Sequence, residues 1–248
     1  NINPDNLAAA KKRQNKITEY RKMLLAWKAQ GIITLAGYIL GFPSDTPATI
    51  RRDIAIIQEE LPLDVIEFFC LTPLPGSEDH QVLWKKGVAM DPDLNTYDVE
   101  HVCTAHPKMS RREWEDIYRE AWSLYYTPKH MKTLLCRAAA TGVPMGSLVK
   151  ILVTFATTVR LENVHPLQSG VLRSKRPSER RPGLPRENSL IFWSRYAWET
   201  LRKHTILAGA IVRLLLTAIA VSCRPAAREA ERREGNRAVL GRDHLGIK

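Results

Sequence analysis

The chain has 248 residues, of which 44% are hydrophobic and 25% charged, a composition that excludes fibrous repeats and wholesale disorder. Its four cysteines, at positions 70, 103, 136 and 223, are too far apart for a CxxC or CxxxCxxC loop and too few for a disulfide scaffold. The net charge is +11, yet Lys plus Arg equals Asp plus Glu at 18 each up to residue 140 and exceeds it by 19 to 8 beyond. The excess therefore predicts a C-terminal surface that meets an acidic partner.

The first hundred residues alternate between helical and strand patterns. Apolar residues at steps of three and four predict an amphipathic helix over 7–30, and an Ile- and Leu-rich run between glycines predicts a covered strand over 32–40. Thr46 followed by Pro47 predicts the N-terminus of a second helix, and residues 65–71 predict another covered strand. Helices and strands that alternate through short connections indicate a parallel α/β sheet.

Two parallel strands cannot shield both faces of a sheet. The first hundred residues are therefore interpreted as the last part of an α/β domain whose opening strands lie upstream. The N-terminus agrees with this interpretation, because Asn1 is not a Met and no apolar stretch follows a basic start. The sequence predicts no signal peptide and a position inside a longer chain.

Beyond residue 100 the pattern is helical. Ser110 and Glu113 have the spacing of a capping box, and Thr127 followed by Pro128 predicts the start of another helix. A third helix is expected to begin near Ser147. No further strand pattern is found in this part of the chain, so it is predicted to be a helical extension.

The C-terminal third divides into three kinds of sequence. Between residues 173 and 186 lie six basic residues, one acidic residue and three prolines, which predict a solvated linker. The chain is then helical and apolar, and finally charged and poor in large apolar groups, as disordered tails are. The predicted boundaries are 1–100 for the C-terminal part of a barrel, 101–170 for a helical extension, 171–189 for a basic proline-rich linker, 190–223 for an apolar helical segment and 224–248 for a disordered tail.

A candidate binding site follows the first predicted strand. In α/β domains ligands bind at the carboxyl ends of strands, and here a glycine-containing turn leads into a helix N-terminus. Gly37 and Gly41 would let a flat ring system approach the backbone, and Ile39 would supply an apolar face. Close strand packing with a tight turn is the alternative explanation of the same glycines.

Longer stretches carry a more specific signal. They are GYILGFPSDTPATI and FFCLTPLPGSE in the first hundred residues, and TAHPKMSRREWEDIYREAW, YYTPKHM and HPLQSGVLRSKRPSERRPGLPRENSLIF beyond them. The first two closely resemble the fifth and sixth strand regions of radical S-adenosylmethionine (SAM) enzymes, particularly the class with an N-terminal cobalamin (B12)-binding domain. The other three resemble the C-terminal extension of one bacterial subgroup of that class. The resemblance covers roughly residues 5–225.

The resemblance implies a fold and a set of cofactors. The fold class is α/β: the last strands and helices of a partial (β/α)6 radical SAM barrel, followed by a mostly α-helical extension. In this class a CxxxCxxC loop after the first strand holds a [4Fe-4S] cluster, which reductively cleaves SAM to a 5′-deoxyadenosyl radical, and cobalamin binds the preceding domain. The loop after the sixth strand lies near the same ligand as the fifth-strand turn. The residues implied to bind the cofactor are Gly37, Ile39, Gly41, Pro43, Thr72 and Pro73.

The chain departs from that class in its cysteines. It has no CxxxCxxC, and its four thiols are separated by 33, 33 and 87 residues, whereas three cluster ligands are needed on one short loop. It also has neither the first barrel strands nor a cobalamin domain. The chain alone is therefore predicted to bind no [4Fe-4S] cluster and to be inactive by itself.

Other catalytic or metal chemistry has weaker support in the sequence. His101, Cys103 and His106 have a spacing at which imidazole and thiolate can meet on one ion, with Asp98 or Glu100 as a fourth ligand. A polar connecting loop explains the same residues. No GxSxG is present, so a hydrolase has no support, and the remaining histidines are predicted to be solvated or capping: His80, His130, His165 and His204.

The apolar C-terminal segment predicts contact with a membrane surface. Arg213 is the only charge in residues 206–223, and a central arginine costs about 2.5–3.5 kcal/mol on insertion, so a full crossing is disfavoured. An interfacial helix on anionic lipid fits better, with a helix docked on the barrel as the alternative. The aromatic and basic residues expected at headgroup level are Trp193, Arg195, Tyr196, Trp198, Arg202 and Lys203.

Two functions follow as expectations. The first is the C-terminal portion of a radical SAM enzyme that acts on an unactivated carbon of a small-molecule or lipid substrate, for example by methyl transfer. The second is a non-catalytic membrane-surface or assembly module. The chain is expected in the cytoplasm, with a peripheral position on the inner membrane face as the alternative. Nucleic acid is the less favoured partner, because the basic residues lie beside a long apolar stretch and no RRM, KH or helix-turn-helix pattern is found.

Overall fold

The computed structural model describes Ile2 and residues 17–168, 172–180, 183–185 and 187–223. The predicted tail at 224–248 lies outside this part of the chain. Within it the elements are α1 (Ile17–Lys28), β1 (Leu35–Leu40), α2 (Pro47–Glu60), β2 (Val65–Cys70), α3 (Glu78–Lys85), α4 (Arg111–Tyr125), α5 (Pro128–Thr141), α6 (Met145–Glu162) and α7 (Ser189–Ser222).

The two strands form the predicted parallel pair. Leu35 lies opposite Val65 and Leu40 opposite Cys70, with α2 as the crossover between the strands. The described residues contain this one two-stranded sheet, and most of the other residues are helical. The α/β prediction with a helical extension is therefore confirmed at the level of fold class, and a barrel stays a proposal.

Local sequence signals place several helix ends correctly. The Thr46 side chain accepts a hydrogen bond from the Thr49 N–H at 3.2 Å, and the Thr49 hydroxyl accepts one from the Thr46 N–H at 2.9 Å. Ser110 and Glu113 form the expected capping box at the start of α4. At the end of α5, Gly142 adopts a left-handed φ of 76°, which glycine does without strain.

The core lies against the face of the sheet that carries Tyr38 and Phe68. The Tyr38 hydroxyl donates a hydrogen bond to Asp53 of α2 at 2.8 Å, and the Phe68 ring meets Trp122 and Tyr125 of α4 edge-on. The buried hydrophobic cluster runs from α1 to α7. The predicted segments 1–100, 101–170 and 190–223 thus share one core, because each contributes buried residues to this cluster.

Side chains and loops occupy the outer edge of β2. The Tyr126 hydroxyl accepts a hydrogen bond from the Ile66 N–H at 3.1 Å and donates one to the Ile66 carbonyl at 2.7 Å. Further along, the Cys70 N–H donates to the Val99 carbonyl at 2.7 Å. These contacts satisfy backbone N–H and carbonyl groups that could otherwise pair with another strand.

The outer edge of β1 is different. The Val65 N–H donates to the Thr34 carbonyl, and the period of two in a strand then directs the backbone groups of Leu35, Gly37 and Ile39 away from β2. Among the described residues no hydrogen bond reaches these three from the outer side. The sheet is therefore closed at β2 and open at β1 in the part of the chain that the structure describes.

Candidate ligand-binding site

The predicted ligand-binding residues lie along β1 and in the loops that follow the two strands. Because β1 and β2 are parallel and Leu40 lies opposite Cys70, both loops leave the same edge of the sheet. This arrangement brings the turn after β1 next to the loop after β2. The first contains Gly41 and Pro43, the second contains Thr72 and Pro73, and Gly37 and Ile39 lie within β1.

Gly37 and Ile39 share the sheet face opposite the core. Gly37 is exposed and Ile39 half-buried, so part of this face is accessible. A Cβ at Gly37 would lie 2.9 Å from the Phe69 ring, so the absence of a side chain at Gly37 leaves room for that ring. The accessible surface here is apolar and is formed by Ile39 together with Phe69.

Gly41 has a packing role. Its φ is +103°, and a Cβ would lie 1.8 Å from Cζ2 of Trp114. The indole, which is 2% exposed, fills the space on this side of the backbone. Close packing with a tight turn, the alternative weighed from the sequence, therefore accounts for this glycine.

Asp45 closes the turn on itself. Its Oδ2 accepts hydrogen bonds from the N–H groups of Gly41 at 2.9 Å and Phe42 at 3.0 Å, and the Phe42 carbonyl accepts one from His106 Nε2 at 2.9 Å. Because the N–H groups of Gly41 and Phe42 already donate to Asp45, they are not available to bind an anionic ligand. The turn can support an apolar ring against Pro43, which is exposed.

The loop after β2 is also held by the backbone. The Thr72 hydroxyl donates to the Cys70 carbonyl at 3.1 Å, and Pro73 is buried. Leu74 is 55% exposed at the tip. The two loops thus present mainly apolar groups, with few free donors or acceptors between them.

Buried polar residues near this face were not predicted. Glu67 is 5% exposed and lies opposite Gly37, and burial raises the pKa of its carboxyl group. The His165 ring stacks on Phe69 with 4.8 Å between centroids, and the backbone N–H of His165 donates to a carboxylate oxygen of Glu100. A charged residue inside the apolar run VIEFFC was the one sequence signal for Glu67.

The histidines at 130 and 165 correct a prediction. Both were expected to be solvated or capping, and the structure buries them at 7% and 2% exposure. His130 packs edge-on against Tyr125 in the core. Aromatic contacts with residues distant in sequence cause this burial, and no local sequence pattern indicates such contacts.

Acidification is expected to destabilise the fold through these two imidazoles. Burial lowers the pKa of His130 and of His165 from 6.5 to about 4. Since the folded pKa lies below the unfolded one, this stability is complete above pH 6.5 and is lost as the pH falls toward 4, by about 3 kcal/mol per histidine at most. Urea unfolding across this range measures the loss. A His165→Gln variant should lose about half of this dependence, because His130 has the same shift.

The spacing of His101, Cys103 and His106 does not produce a metal site here. Nδ1 of His101 contacts Asp98 at 2.8 Å. His106 uses both ring nitrogens, one toward Phe42 and the other to accept from the Lys108 N–H. Among the described residues no group of three His, Cys, Asp or Glu side chains is placed to hold a metal ion.

The cysteines are spread through the fold. Cys70 and Cys103 are buried, Cys136 is half-buried and Cys223 is exposed at the end of α7. Burial raises the pKa of the Cys70 and Cys103 thiols, which disfavours the thiolates that metal binding requires. These residues do not fit a [4Fe-4S] cluster.

A second surface lies on α7. The helix docks by one stripe, spaced three and four residues apart: Lys203, Leu207, Ile211, Leu214, Ala218 and Val221. Large apolar residues point outward on the other side at 46–61% exposure: Leu201, Val212, Leu215, Leu216 and Ile219. By length and composition α7 is the one described helix that could cross a membrane, and 17% of its apolar window is buried.

Lys203 corrects another prediction. It was expected at headgroup level, and the structure places it at 6% exposure. Its ammonium group contacts Glu162 at 2.9 Å and Glu199 at 2.5 Å. Lys203 therefore ties α7 to α6 and is not available to lipid, whereas Arg195 and Arg202 are exposed.

No protein-family model matches this chain, and no curated protein matches it.

Proposed function

We propose that this chain is the C-terminal part of a radical SAM enzyme and that its β1 edge pairs with the preceding strands of the barrel. The observation that carries the proposal is the asymmetry of the sheet. β2 is closed by Tyr126 and Val99, as the last strand of a sheet would be. No described residue bonds to the outward backbone groups of β1, on the side where a preceding strand of the barrel would lie.

Of the cofactors that the resemblance implies, SAM is the one whose proposed binding residues lie in this chain. The half-buried side chain of Ile39 and the exposed ring of Pro43 offer apolar surface to an adenine ring, and Gly37 leaves the adjacent backbone accessible. Thr72 and Pro73 would border the same ligand from the second loop. When bound, SAM would supply the radical. The role of this chain would be to bind the adenosyl end of SAM and to orient it beside a small-molecule or lipid substrate.

Gly41 contributes to this proposal indirectly. Trp114 fills the space beside it, and Asp45 binds its N–H. Both contacts hold the turn in one conformation and so fix the position of Pro43. The cluster has no ligands among the described residues, and cobalamin belongs to the proposal through the resemblance alone.

Titration with S-adenosylhomocysteine tests the binding role of β1. The methyl signals of Ile39 in an isotope-labelled chain should shift, and Ile39→Ser should weaken binding about tenfold because it removes apolar contact worth roughly 1.4 kcal/mol. Leu35→Ser is the matched control, since Leu35 lies on the same face at the far end of the strand and is 53% exposed. Equal weakening by both variants, or unshifted Ile39 signals, would contradict the proposal.

We infer a second function, association with anionic membranes through α7, from its outward apolar face. The docked stripe runs from Lys203 to Val221, so the rest of the protein lies along this length of α7. This arrangement favours an orientation of α7 parallel to the membrane plane. Arg195, Arg202 and Arg213 are seven and eleven residues apart, which places them on one flank of the apolar face. A helix with this arrangement suits the boundary between headgroups and acyl chains.

Leu216→Asp is expected to lower vesicle binding about tenfold, because it replaces an apolar contact with a charge at the membrane boundary. Leu94→Asp is the matched control: Leu94 is 67% and Leu216 61% exposed, and Leu94 lies far from α7 in sequence. Co-sedimentation with phosphatidylglycerol vesicles measures the effect, and added salt should release the protein only partly. Equal binding by both variants, or a stronger preference for RNA, would contradict this function.

A further inference from the structure

The sheet face opposite the core carries a buried carboxylate, that of Glu67. Because side chains alternate along a strand, Glu67 lies on the same face as Gly37 and Ile39 of the neighbouring strand. The residue is 5% exposed, and its carboxylate oxygens keep part of that exposure. A ligand on this face can therefore reach the carboxylate.

The carboxylate of Glu67 has no partner in the part of the chain that the structure describes. No N–H or O–H group donates to it, and no Lys, Arg or His forms an ion pair with it. Burial raises the pKa of Tyr126, and Glu67 is among the groups that raise it further, but this hydroxyl already donates its hydrogen to the Ile66 carbonyl at 2.7 Å. A buried carboxylate without a hydrogen bond or a counter-charge is costly, so a ligand that supplies both would stabilise it.

An aromatic ring borders the same space. A Cβ built on Gly37 would lie 2.9 Å from Cε2 of Phe69, so the ring lies beside the glycine. Gly37 is also directly opposite Glu67, and neighbouring strands are about 4.8 Å apart. The carboxylate and the ring thus both flank the exposed glycine. The His165 ring that stacks on Phe69 adds no positive charge at neutral pH, because burial lowers its pKa to about 4.

We propose that Glu67 and Phe69 bind the ammonium group of a small-molecule substrate. An ammonium group donates charge-assisted hydrogen bonds to a carboxylate, which are roughly twice as strong as those between neutral groups, and an aromatic ring adds cation–π attraction. Ile39 offers apolar surface to the carbon chain of the same ligand. This inference deepens the proposed function, on which it rests for the identity of the neighbouring cofactor, and it names primary amines as the substrate class.

Titration with n-pentylamine, followed through the Ile39 methyl signals of an isotope-labelled chain, tests the site. The amine should bind with a Kd on the order of 1 mM. The uncharged alcohol 1-pentanol has the same length and should bind at least about tenfold more weakly. Glu67→Gln should weaken amine binding about tenfold. This variant should remain folded, because it removes a buried charge that has no partner.

Glu59→Gln is the matched control. Glu59 is exposed on α2, and α2 packs on the opposite face of the sheet, where Asp53 accepts a hydrogen bond from Tyr38. The control removes the same charge at a solvated position away from the site, so it should change the Kd of the amine less than about twofold. Absence of saturable amine binding, equal affinity for 1-pentanol, or equal losses in the two variants would overturn the proposal.

A parallel titration with S-adenosylhomocysteine separates this site from the proposed cofactor site. Glu67→Gln should change the Kd of S-adenosylhomocysteine less than about twofold, because the carboxylate is assigned to the substrate. A loss as large as that for the amine would assign Glu67 to the amino group of the cofactor and overturn the proposal. Amine binding that depends on Glu67 supports the ammonium site even where S-adenosylhomocysteine does not bind, so the two proposals can fail separately.

Discussion

Replacing Gly41 with alanine is expected to lower the free energy of unfolding by at least about 3 kcal/mol, because backbone strain and a core clash act together. The new methyl group would lie 1.8 Å from the buried Trp114 ring, and the backbone has a φ of +103°. The indole cannot move aside easily, since α4 packs it against the rest of the core. Urea unfolding followed by tryptophan fluorescence measures the loss.

Gly76→Ala separates the clash from the backbone strain. Gly76 also has a left-handed φ, +88°, but nothing lies within 4 Å of a Cβ built there. This variant should cost only about 1–2 kcal/mol. If the two substitutions cost the same, the Trp114 contact does not govern the conformation of the turn after β1.

Removing the hydroxyl of Tyr126 is expected to have the second largest effect. Tyr126→Phe leaves the N–H and the carbonyl of Ile66 without their partner at a buried strand edge. Each of the two backbone groups left unsatisfied costs about 1–3 kcal/mol, so the total loss should be roughly 2–6 kcal/mol. Chemical denaturation gives this value, and faster amide exchange at Ile66 should accompany it.

Tyr97→Phe is the matched control for the Tyr126 hydroxyl. Tyr97 donates one hydrogen bond to the Asp91 carbonyl at 3.0 Å in a half-buried loop. Its loss should cost about 1 kcal/mol or less. Equal costs for the two variants, or unchanged exchange at Ile66, would show that Tyr126 does not close the edge of β2.

The elements that could be predicted from sequence are those specified by neighbouring residues. Thr46 with Pro47 and the Ser110 capping box depend on contacts within one helical turn. α3 was missed because it has no buried residue, and so no apolar stripe marked it. Its local signals were the N-cap Ser77 and the charged residues at its ends, Glu78, Asp79 and Lys85.

The features that could not be predicted depend on contacts between distant residues. The closure of β2 joins Ile66 to Tyr126, and the network below α7 joins Glu162 to Lys203. Such pairs leave no periodic trace in the sequence. For the same reason the sequence indicated that Gly41 lies in a tight turn but did not indicate that Trp114 packs against it.

The protein encoded by any reading frame that continues upstream of Asn1 provides the test of the proposed function. If this chain is the C-terminal part of a radical SAM enzyme, we expect an in-frame CxxxCxxC after a first barrel strand. The protein encoded by that longer frame, reconstituted anaerobically with iron and sulfide, should convert SAM to 5′-deoxyadenosine after reduction, and Ile39→Ser should weaken its use of SAM more than Leu35→Ser does. A frame without the three cysteines, or a reconstituted protein that forms no 5′-deoxyadenosine, would contradict the claim that this chain belongs to a radical SAM enzyme.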